Sequence, residues 1–116
     1  MADENRKWFL DRASEIVTKD RNKSYGEPED NFNGIAQMWS VYLRNKGKLL
    51  FGREISSEDV AVMMALLKIQ RASTGEYNAD NYVDCIGYMA CAGQCAALSK
   101  PKEDEVFACY GDHKKE

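Results

Sequence analysis

Histidine is almost missing from this 116-residue chain: the single one, His113, lies in a charged C-terminal tail. Without a histidine in the body, and with no cysteine beside an evident basic partner, nucleophilic catalysis of the Ser–His or Cys–His kind has no support. No Cys-x-x-Cys occurs among Cys85, Cys91, Cys95 and Cys109, so a zinc framework of ordinary spacing is lacking. The cysteines read as free thiols that pack as small apolar side chains in a reducing cytosol. No apolar run approaches a membrane span, and the N-terminal Met-Ala-Asp-Glu-Asn-Arg-Lys has no apolar signal segment. The expectation is a cytoplasmic protein, away from membranes. Positive charge is not in excess either. A formal net charge of −3 argues against a nucleic-acid partner, which calls for a basic surface. There is no internal repeat, no low-complexity stretch and no useful strand pattern.

What is present is a globular composition, 44% apolar and 30% charged, enough for one domain with a modest core. The expected architecture is all-α, a compact bundle of about four helices over residues 1–100, followed by a charged tail over 101–116. Trp8, Phe9, Ala13, Ile16 and Val17 keep helical spacing and predict a helix over about 5–18. Residues 19–29 are polar and contain Gly26 and Pro28, the texture of a loop. Asp30 can cap or begin a second helix running to about Asn45, with Phe32, Ile35, Ala36, Trp39, Tyr42 and Leu43 as its apolar stripe. Gly47 is a natural stop. The connector that follows carries Leu49-Leu50-Phe51, expected to tuck onto the core. Ser56-Ser57-Glu58-Asp59 announces a third helix. From Val60 to Leu67 that helix is apolar nearly all round, which suits the centre of a bundle or a subunit interface. A fourth helix over about 79–99 is rich in small residues, including Gly87 and Gly93, and predicts close helix packing. Pro101 ends it. The tail holds a short apolar island at 106–110.

The chemistry-bearing residues gather where the third helix gives way to the fourth. Lys68 and Arg71 stand three apart, Asp80 and Asp84 four apart, so each pair shares a helical face. Two carboxylates one turn apart can hold a hard cation such as magnesium, and the two cations can grip a phosphate, one as a point charge and one as a planar fork. A plainer account also fits: Asp80 as a helix cap, and Asp84 in an ordinary salt bridge with Arg71 or Lys68. A further set lies in and after the first loop: Arg21, Tyr25, Gly26, Glu29, Asp30 and Asn31. A glycine permits close backbone approach, a tyrosine can stack on a base, and an asparagine can read a base edge. Trp39 and Tyr88 read first as core residues, with one of them lining a base pocket as the second reading.

Several stretches, in their order and spacing, resemble a known family. They are Tyr25-Gly26-Glu27-Pro28-Glu29-Asp30-Asn31-Phe32, then Trp39, Asp59-Val60-Ala61, Leu67-Lys68-Ile69-Gln70-Arg71, Asp80-Asn81-Tyr82-Val83-Asp84 and Gly87-Tyr88. Across about residues 19–98 the chain resembles small phage and prophage proteins known mainly as a domain of unknown function. These in turn look related to the MazG-like all-α nucleoside triphosphate pyrophosphatases. The resemblance implies an all-α fold assembled as a dimer or tetramer, in a host cytoplasm. It implies Mg2+ bound by acids, here Asp80 and Asp84 with Glu29 or Asp30, and release of pyrophosphate from a nucleoside triphosphate. Arg21, Tyr25, Gly26, Asn31, Lys68, Arg71, Asn81 and Tyr88 then become the nucleotide-binding set. The chain departs from the family pattern in two ways. Its second acidic pair is spaced Asp-x-x-x-Asp, and the mid-helix Glu-x-x-Glu pair has no clean counterpart. That departure opens a second reading, a protein that sequesters a nucleotide, such as a cyclic immune signal, without turning it over. A third reading makes the polar cluster architecture only.

Overall fold

The computed structural model describes residues 4–20 and 26–100, and the fold is all-α. Helix α1 spans Arg6–Glu15, α2 Pro28–Asn45, α3 Ser57–Ser73 and α4 Ala79–Ser99. Each helix starts where a short polar side chain or a proline can start it. The Asn5 side chain accepts from the Trp8 N–H at 2.9 Å and caps α1. Glu27 is extended, with ψ 141°, as the residue before a proline prefers, and Pro28 takes the first position of α2, where its missing N–H is harmless. Glu29 and Asp30 lie in that first turn rather than at the cap. At α3 the Ser56 hydroxyl accepts from the Asp59 N–H at 3.0 Å, while the Asp59 carboxylate accepts from the Ser56 N–H at 2.9 Å. Aspartate thus closes a capping box that more often uses Glu or Gln.

Two segments differ from the sequence expectation. Helical hydrogen bonding does not stop at about residue 18 but passes into a π-helical segment, Ile16–Asp20. The wider winding brings Val17 against α4: a Cβ built on Gly87 would stand 3.0 Å from its Cγ1. The connector after α2 does not tuck its apolar run inward. Leu50 is 73% and Phe51 97% exposed. Gly47, at φ 71°, turns the chain out of α2 in a Schellman pattern, with Lys48 N–H donating to the Leu43 carbonyl at 2.8 Å and Gly47 N–H to that of Arg44 at 3.0 Å. The connector is then tied by polar groups. Arg44 reaches Glu54 at 2.9 Å, and the Ile55 N–H donates to the buried Ser40 hydroxyl at 2.8 Å. Ile55, not Leu50 or Phe51, is the connector residue delivered to the core.

Helices α3 and α4 form a hairpin with the most extensive contact in the fold, α2 packs on α3, and α1 packs on α4. Helix α4 touches every other helix, so the central place belongs to the small-residue helix and not to the apolar α3. Phe32, Ala36, Val60, Ala61, Cys91, Ala92 and Cys95 make the buried core, with Trp39, Ile55, Met64 and Tyr88 against it. Cys91 and Cys95 are buried, and Cys85 is half-buried. Helix α3 buries one stripe (Val60, Ala61, Ala65) and leaves Met63, Leu66, Leu67 and Ile69 exposed on the other side. None of the described helices is long and apolar enough to cross a membrane.

Candidate functional site

The α3–α4 hairpin brings one cation to one acid. Lys68 Nζ lies 3.1 Å from Asp84 Oδ2, with the side chains 16% and 30% exposed. Lys68 precedes the last turn of α3 and Asp84 follows the first turn of α4, so the pair bridges the hairpin where the two helices run side by side. Arg71, nearer the turn, is exposed and makes no ion pair with Asp80 or Asp84 among the described residues. Asp80 is exposed too and does not cap its helix. Asn78 does: its Oδ1 accepts from the Asp80 N–H at 3.0 Å. Asp80 is therefore an exposed first-turn acid near a positive helix end.

The rest of the expected site is divided. Asn81 is buried and Asn31 half-buried. Tyr88 belongs to the core, its ring 6.3 Å from that of Phe32. Gly26 is exposed with φ 82°, a left-handed conformation that glycine adopts freely. Arg21 and Tyr25 lie outside the described residues. Glu29 lines a cleft of about 450 Å³ with Asn33, Ser57, Glu58, Cys95 and Ser99. Ser57 and Cys95 are about three turns along their helices from Lys68 and Asp84, roughly 16 Å at the rise of an α-helix. Glu29 and its neighbour Asp30 are thus at the opposite end of the hairpin from Asp80 and Asp84. The four acids expected to share a metal do not converge within one chain. Among the described residues no group of three or more His, Cys, Asp or Glu side chains could hold a metal ion. Asp80 and Asp84, with Asp84 already facing an ammonium, fall short of a magnesium cage. An ion there would depend on phosphate oxygens and water for most of its ligands. At the other end, Glu29 Oε1 is buried without a hydrogen-bond partner among the described residues, while Ser57 Oγ donates to the Glu29 carbonyl at 3.2 Å.

A feature that the sequence reading missed lies between α1 and the start of α4. Glu4, Arg6, Phe9, Leu10, Tyr77, Tyr82 and Ile86 line an open, largely apolar cleft of about 650 Å³. The rings of Tyr77 and Tyr82 are stacked at 6.1 Å, and Phe9 meets Tyr82 edge-on at 6.1 Å. Tyr77 donates its hydroxyl to Glu4 Oε1 at 2.6 Å. That hydrogen bond, more than burial, raises the Tyr77 phenol above its ordinary pKa. The available signal was two tyrosines five apart, Tyr77 in the polar turn and Tyr82 in the first turn of α4. Tyr77 lies in the turn, outside the apolar stripe of any helix, yet its ring is held.

A family model described as a domain of unknown function, DUF6378, matches residues 8–96. The Gene 55 protein of Mycobacterium phage D29 is 39% identical over 83 residues, covering 72% of this chain and 50% of that protein. The Gene 55 protein of Mycobacterium phage L5 is 39% identical over 99 residues, covering 85% of this chain and 56% of that protein. The chain therefore spans about half the length of the curated relatives it matches. No solved structure matches it.

Proposed function

This chain belongs to the DUF6378 family, and from that premise we propose that it is a nucleotide-binding protein whose phosphate-facing groups are Lys68 and Arg71. The observation that carries the proposal is the Lys68–Asp84 pair at 3.1 Å, with Arg71, which has no ion pair among the described residues, about one turn further along α3. Asp84 fixes the ammonium, and the guanidinium beside it remains open to an anion. A phosphate approaching this end of the hairpin meets a point charge and a planar fork without first having to break a paired arginine.

The MazG-like resemblance suggests a magnesium-dependent pyrophosphohydrolase, with Asp80 and Asp84 contributing to a metal that the phosphates also hold. The placement of Glu29 and Asp30 at the far end of the hairpin favours the alternative, a protein that captures a nucleotide and returns it intact. We further propose that it works as a homo-oligomer in the host cytoplasm. Met63, Leu66, Leu67 and Ile69 on α3, and Met38, Val41 and Tyr42 on α2, are exposed large apolar side chains that a second copy would cover. A standard interface needs about 800 Å² from each partner. The test is a thermal-shift panel of nucleotides with and without magnesium, followed by chromatography of the ligand. A magnesium-dependent shift with monophosphate and pyrophosphate as products supports the hydrolase. A shift with the ligand recovered intact supports capture.

A further inference from the structure

The cleft between α1 and the start of α4 has no part in the phosphate chemistry above. We propose that it is a base subsite, receiving the planar heteroaromatic ring of a purine nucleotide; the identification of that ring as a nucleobase rests on the nucleotide reading. Four observations carry it. The cleft holds about 650 Å³, within the roughly 300–1,000 Å³ usual for small-molecule sites. Its walls are Phe9, Tyr77 and Tyr82, with the Tyr82 ring 6.1 Å from each of the other two, and Ile86 beside them. Tyr77 is 66% and Tyr82 46% exposed, and an accessible aromatic ring is what a base stacks on. The rim carries hydrogen-bonding groups of both kinds. Arg6 can donate, and it has no ion pair among the described residues. Glu4 spends Oε1 on the Tyr77 hydroxyl, leaving Oε2 to accept from an exocyclic amine. A lipid chain would use neither group, whereas a ring with a donor and an acceptor on its edge uses both. The Tyr77–Glu4 bond also holds the Tyr77 ring in place before a ligand arrives, which lowers the ordering cost of binding.

The cleft supplies its own reporter. Trp8 meets Phe9 edge-on at 4.9 Å, so Trp8 fluorescence in a Trp39→Phe background senses occupation. The full chain is titrated with the uncharged nucleosides adenosine and guanosine, and separately with inorganic triphosphate, whose binding at the hairpin end is read by the shift in melting temperature. A nucleoside is expected to change Trp8 emission saturably. Tyr82→Leu, which keeps the apolar volume but removes the ring, is expected to weaken that binding about ten-fold, in line with the loss of one stacking partner. Phe9→Leu provides a second variant if Tyr82→Leu fails to fold, and circular dichroism decides which is used. If inorganic triphosphate binds but no nucleoside does, the base subsite is wrong and the phosphate reading stands. If neither binds, the nucleotide reading itself falls. If Trp8 emission follows protein concentration without ligand, a second copy covers the cleft and the subsite is likewise overturned.

Discussion

A lysine–aspartate contact at 3.1 Å gains its value from what surrounds it. An exposed pair contributes about 0–1 kcal/mol, while breaking a fully buried one costs about 3–5 kcal/mol because a charge is stranded. Lys68 and Asp84 keep water-facing edges, which puts them between these limits. Asp84→Ala is expected to lower stability by about 1–2 kcal/mol in urea unfolding, and the double change Lys68→Met with Asp84→Leu to recover most of it. No loss in the single variant would mean that the pair is loose in solution. Tyr77 gives a pH-dependent counterpart. Its phenol is raised by the hydrogen bond to Glu4, so the folded state favours the protonated form. That contribution is complete below the ordinary tyrosine pKa and is lost as pH rises through the raised one. In an NMR titration Tyr77 should ionise later than an unhindered tyrosine, and Glu4→Gln should bring it back down. At this scale the sequence was half legible. Asp84 was expected to pair with Arg71 or Lys68, and spacing did not choose between them; the ammonium of Lys68 is the one that reaches it. Asn78 and Asp80 are likewise both good capping residues two apart, and only the backbone at 78 decides which one caps.

The helices themselves were legible because local chemistry and burial agree: Asn5, Pro28, Ser56 and Asn78 open elements whose apolar stripes face one core. The Leu49-Leu50-Phe51 segment misled because an apolar run in a connector resembles core, and nothing in its composition shows that Ser40 and Arg44 will hold the chain by Ile55 and Glu54 instead. The two glycines of α4 were expected to share one role and do not. Gly87 is buried against Val17 Cγ1, whereas a Cβ on Gly93 would have nothing within 4 Å. Gly93→Ala should therefore gain close to the full helix-propensity difference, about 1 kcal/mol. Gly87→Ala should gain less or lose stability, since Val17 must give way. Equal gains in paired thermal melts would refute the close packing of the π-helical segment on α4.

The whole molecule has more apolar surface than its four helices cover. Met63, Leu66, Leu67 and Ile69 remain exposed on a helix whose inner stripe is already satisfied, and the largest apolar patch on a typical monomer is about 300–600 Å². Sedimentation at micromolar concentration should show a dimer or tetramer. Leu66→Glu, on that outer face, should shift it toward monomer without loss of helical signal; a wild-type monomer would contradict the assembly. The site was less legible than the fold for a related reason. Glu29 and Asp84 look like partners in a string of acids, yet helix length alone separates them by about three turns. The aromatic cleft depends on α1 meeting α4, a contact with no local signature.

The central claim is that the Lys68–Arg71 end of the hairpin binds nucleotide phosphates. Its most direct test is the melting temperature of the wild type and of Arg71→Gln across a nucleoside triphosphate titration, because Arg71 is exposed and its loss should spare the fold. At a ligand concentration about 100-fold above Kd, binding should add about 2.7 kcal/mol, a rise of roughly 10 °C or more for a domain this size. The account expects that rise in the wild type and its loss at the same concentrations in Arg71→Gln. A wild type that melts unchanged with every nucleotide, or a variant that shifts as far as the wild type, would contradict it.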